Sequence, residues 1–88
     1  MKVTFKHLSL DEQKKYVALN EQIRLAKVDF LYAKPEETEE KRDALKKLWD
    51  EFVTATVVRS DVDLQDVNTV DMGEVIESFF AKVLIVPQ

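Results

Sequence analysis

Cysteine is absent, glycine occurs once, proline twice, and histidine and tryptophan once each in 88 residues. Without cysteine there is no disulfide, no thiolate metal site and no cysteine nucleophile. With Gly73 alone there is no glycine-rich loop to wrap a phosphate closely. For the same reason no Gly pair flanks Ser9, Ser60 or Ser78 as a nucleophile elbow requires. His7 stands in a short polar stretch with no neighbour that marks it as an oriented base, so it reads as a solvated side chain. Long apolar runs are missing as well. The most apolar segment, Phe79 to Val86, is interrupted by Lys82 and falls far short of the roughly 20 residues that span a bilayer. The residues that follow Met1 hold no stretch apolar enough for a secretory signal. A soluble, cytoplasmic protein without catalytic residues or a cofactor is expected.

Acidic residues are plentiful enough to test for metal binding. Asp61, Asp63 and Gln65 supply oxygens at positions one, three and five of a calcium loop. The pattern then fails, because Asp66 stands where the sharp turn needs Gly and Met72 where the bidentate Glu belongs. The cluster of Glu36, Glu37, Glu39, Glu40 and Asp43 lacks the Glu-x-x-His repeats of a dimetal bundle site. No metal is expected, and these acids read as a solvated loop and a favourable helix start.

What the chain does have is 45% apolar residues, 34% charged residues and a net charge of −4. The length suits one small domain, residues 1–88, with a thin core to which a partner could add stability. Charge falls along the chain. Residues 1–34 hold seven Lys/Arg against four Asp/Glu, whereas residues 61–88 hold one against six. Basic residues are dispersed rather than interleaved with aromatics, which together with the net charge argues against direct nucleic-acid binding.

Few breakers imply few, long elements. Ser9-Leu10-Asp11-Glu12 is a capping box, and Tyr16, Leu19, Ile23, Ala26, Phe30 and Ala33 then repeat at alternating spacings of three and four. This predicts a first helix from Leu10 to Ala33. Val17, Val28 and Leu31 widen its apolar stripe, so coverage on more than one side is expected. Lys34-Pro35 interrupts it, and a second helix over residues 35–57 follows through Ala44, Leu45, Leu48, Trp49, Phe52, Val53 and Ala55. Glu37–Lys41, Asp43–Lys47, Lys46–Asp50 and Lys47–Glu51 stand at i,i+4 on its outer side. So short a connection forces an antiparallel hairpin. Residues 59–68 read as a loop, and a third, amphipathic helix near 71–85 starts near Asp71.

The expected fold is therefore all-α, a helical hairpin with a third C-terminal helix across it. The alternative is α+β, with residues 2–6 paired to 83–86 or to 54–58 as short strands. The predicted core is Tyr16, Leu19, Ile23, Phe30, Leu45, Leu48, Phe52, Ile76, Phe79 and Val83.

With no constellation for chemistry, the function expected is a protein–protein interaction module, a small helical adaptor or inhibitor that pairs with another protein or, as a homodimer, with itself. Trp49, Phe52, Val53, Phe79 and Phe80 are the candidate partner-binding residues, since large aromatics dominate binding hot spots. The competing expectation is an acidic mimic of nucleic acid that blocks a basic cleft on a nucleic-acid enzyme. Its surface would be Glu36, Glu37, Glu40, Asp61, Asp63 and Asp66.

Overall fold

In the computed structural model, which describes residues 2–83, Ser9 opens the first helix as the capping box requires. Its hydroxyl accepts from the Glu12 amide at 3.2 Å, and the Glu12 carboxylate accepts from the Ser9 amide at 3.1 Å. Helix α1 runs from Leu10 to Leu31, roughly 33 Å at 1.5 Å per residue. Lys34 is extended, with φ −69° and ψ 155°, as the residue before a proline must be. One 3-10 turn, Pro35–Glu37, leads into α2, Thr38–Thr56, which returns antiparallel along α1. The hairpin read from the periodicity is present.

Val57 turns the chain out of the helix into an extended conformation, with φ −92° and ψ 128°. Its β-branched neighbours continue as a strand, β2, over Val57–Ser60. This strand pairs antiparallel with β1, Val3–Phe5, placing Val3 opposite Ser60, Thr4 opposite Arg59 and Phe5 opposite Val57. The register shifts between Thr4 and Phe5, which leaves Val58 as the extra residue of a bulge. Main-chain bonds from Lys6 to Thr56 (2.7 Å) and from Asp61 to Lys2 (3.1 Å) extend the pairing at both ends. The fold is thus mostly helical, three helices with one small two-stranded sheet. The expected helical class holds in this broad form, and the small sheet is compatible with the alternative that pairs residues 2–6 with 54–58. The physical reason for the sheet is hydrogen bonding: the backbone of the N-terminal segment needs partners, and the valines after α2 provide an extended one.

Helix α3 spans Thr69–Lys82. Its N-cap is Asn68, whose side-chain oxygen accepts from the Asp71 amide at 2.9 Å, so Asp71, near which the start was expected, is the third helical residue. The expected continuation to residue 85, and the expected strand 83–86 beyond Val83, lie outside the described residues. The stretch 59–68, expected as a loop throughout, contains the end of β2 and a 3-10 turn, Leu64–Asp66, whose Leu64 is buried. The i,i+4 pairs expected along α2 are not closed among the described residues. The charged contact on that helix is Arg42 Nε to Asp43 Oδ1, at 3.9 Å.

Every residue of the predicted core is buried or half-buried. Val3, Leu8, Trp49, Leu64, Met72 and Val75 join it. At its centre the aromatic rings meet edge to face: Phe79 lies 5.2 Å from Phe52 and 5.4 Å from Phe5, tying α3 to α2 and β1. Trp49 continues the cluster 5.6 Å from Phe52.

Candidate interaction surface

One side of α1 faces the core with Tyr16, Leu19, Ile23, Ala26 and Phe30. Its other side is also apolar. At 3.6 residues per turn, Leu10, Val17, Leu25, Val28, Leu31 and Tyr32 fall within an arc of about 120° opposite the core seam. They are 60, 38, 51, 43, 61 and 85% exposed. A second apolar stripe on one helix is a surface that another group can cover. Here the single chain covers only one of the two stripes.

Three charged residues, Lys14, Glu21 and Arg24, are set into this outer face. Arg24 binds Glu21 with both arms of its guanidinium, Nε to Oε2 at 3.2 Å and Nη2 to Oε1. The hydrogen bonds from Arg24 hold the Glu21 carboxyl below its ordinary pKa, and the same bonds raise that of Arg24. Both side chains remain more than half exposed.

Beside this face lies a groove of about 400 Å³ between α1 and α3, lined by Val17, Asn20, Arg24, Lys27, Ile76 and Phe80 among others. Gly73 opens it, since a β-carbon there would sit 3.5 Å from the Lys27 ammonium. Asn20 is 4% exposed, and neither its amide oxygen nor its amide nitrogen has a hydrogen-bond partner. A buried polar group left unpaired costs about 1–3 kcal/mol, so this amide is a donor and an acceptor waiting for an answer.

The structure separates the residues that the sequence grouped as partner-binding. Trp49, Phe52 and Phe79 are core side chains with at most 1% exposure, so a partner cannot touch them on the folded protein. The cause is the sheet and the Leu64 turn, which close over the hairpin where an open face was expected. Val53 is half-buried against the same core, and Phe80, at 40%, is the one member on the surface. The acidic residues divide as well. Glu36, Glu37 and Glu40 sit around the start of α2, with Glu37 half-buried. Asp61 accepts from the Lys2 amide and Asp63 from the Gln65 amide, both at 2.9 Å. Asp66 lines a groove together with the basic residues Arg42 and Lys46. His7 is exposed beside Lys6 and Lys82 on the outer edge of β1.

Leu25, Tyr32 and Arg24 were missed by sequence reasoning as surface residues of interest, and Asn20 as a buried polar one. The available signal was the second apolar stripe, of which Val17, Val28 and Leu31 were recognised. Among the described residues no group of three or more His, Asp or Glu side chains could hold a metal ion. No helix among them is long and apolar enough to cross a membrane. Comparison with protein-family models, with curated proteins and with solved structures found no match.

Proposed function

We propose that this protein is a non-enzymatic protein-interaction module that works by occupying or bridging a partner protein, with the outer face of α1 as its docking surface. The observation that carries this reading is the pair of apolar faces on one helix, of which the fold buries only one. Large apolar side chains grouped on one arc, rimmed by charge, mark an interaction site more than a solvated surface. Phe80 extends the same surface onto α3 across the groove.

The test compares tagged wild-type protein with a Val28→Ser/Leu31→Ser variant in capture experiments, with cross-linking to retain weak complexes. A protein partner, or a second copy, held by the wild type and lost by the variant supports the reading. Equal retention by both, or no protein complex with either, overturns it. Mimicry of nucleic acid has less support, because Asp66 faces Arg42 and Lys46 and does not extend the acidic group at the start of α2.

A further inference from the structure

The centre of the outer face of α1 carries two residue pairs that are complementary to each other when the helix is read from either end. From the midpoint between Gln22 and Ile23, Glu21 and Arg24 stand at equal distances on opposite sides, and so do Val17 and Val28. All four are exposed on the arc opposite the core. A pattern in which acid mirrors base and valine mirrors valine is complementary to itself after a half-turn.

We infer that α1 docks antiparallel on α1 of a second copy, about a two-fold axis level with Gln22 and Ile23. This deepens the interaction reading above and rests on it. In that register Glu21 of each copy lies opposite Arg24 of the other, and Val17 opposite Val28, each contact occurring twice as an isologous interface demands. Parallel pairing in register is disfavoured, because it sets Glu21 on Glu21 and Arg24 on Arg24.

In this register the second copy's Arg24 stands level with Glu21. A guanidinium has five donors in a planar fork, which suits the Glu21 carboxylate. The two-armed contact that Arg24 already makes with Glu21 in one copy shows that this fork and this carboxylate match.

Sedimentation equilibrium of the full chain, from low micromolar to near-millimolar concentration, tests the proposal together with two charge reversals. Wild-type protein is expected to sediment as a dimer at the upper end. Glu21→Arg alone and Arg24→Glu alone each place like charges opposite one another twice, and each is expected to weaken the dimer at least tenfold. An equimolar mixture of the two variants sets every reversed charge against its opposite, and a heterodimer is expected to return. Far-ultraviolet circular dichroism on each variant shows that the helices are kept, so loss of the dimer is not loss of the fold. A wild-type monomer throughout the range overturns the self-pairing but leaves the interaction reading to its own test with Val28→Ser/Leu31→Ser. A dimer indifferent to both charge reversals, or a mixture that stays monomeric, overturns the register and with it the proposal.

Discussion

The indole N–H of Trp49 donates to the main-chain carbonyl of Leu64 at 2.7 Å, inside the core. Both residues are buried, and the bond fixes the segment after β2 against α2. It also explains how a turn of 3-10 helix, rather than a loop in solvent, lies at this place. A buried indole needs an acceptor, and the chain supplies one from its own backbone.

Replacing Trp49 by Phe keeps most of the ring volume but leaves the Leu64 carbonyl without its indole donor. Urea unfolding followed by circular dichroism should show a loss of about 1–3 kcal/mol for the unpaired group. The wild-type tryptophan, the only one in the chain, should emit at a short wavelength and resist acrylamide quenching until the protein unfolds.

Phe79 and Phe80 are neighbours in sequence with opposite surroundings. Phe79 joins three elements through edge-to-face contacts, whereas Phe80 is 40% exposed. Phe79→Ala should cost about 3–5 kcal/mol, comparable to the whole stability of a small domain. Phe80→Ala should cost far less, and the difference is read directly from paired thermal melts.

The start of α1 carries a dependence on pH. The hydrogen bond from the Ser9 amide, followed by that from its hydroxyl, holds the Glu12 carboxyl below its ordinary value of 4.5. A carboxyl lowered on folding adds stability that is complete above its unfolded value and is lost as pH falls through the folded one. Wild-type protein should therefore exceed Glu12→Gln in stability at neutral pH, with the gap closing on acidification below about pH 4.5. Ser9→Ala should cost about 0.5–2 kcal/mol at neutral pH, as loss of an N-cap does.

Gly73 lies within α3 with no left-handed backbone to require it. A methyl group there would make only an ordinary contact with the Lys27 ammonium, at 3.5 Å. Gly73→Ala should stabilise the protein by about 0.5–1 kcal/mol through the helix preference of alanine. A midpoint raised by several degrees in differential scanning calorimetry is the expected result.

The sequence rendered the hairpin legible because its cues are local: a capping box at Ser9 and a proline at residue 35 between two periodic stretches. The sheet was hard to read because each strand is three or four residues long and draws on partners far apart in the chain. Leu64 carries no periodic signal, since it is buried by a bond from Trp49 rather than by a place on an amphipathic face. That same bond draws Trp49 into the core, which is why hot-spot composition pointed to residues that the folded surface hides. The outer face of α1 was half visible, through Val17, Val28 and Leu31. The isolation of the Asn20 amide depends on how α3 lies beside α1, and helix periodicity within one segment does not encode it.

The pairing of Val3 with Ser60 also sets an order of events during synthesis. The strand that leaves the ribosome first must wait for its partner, the interval being about 3–11 s at translation rates of about 5–20 residues per second. The α1–α2 hairpin, built from local contacts, can close during that wait, while Val3 and Phe5 stay uncovered until the chain beyond α2 arrives. Val3 and Phe5, made before the partner strand that covers them, are thus among the last core residues to be sheltered.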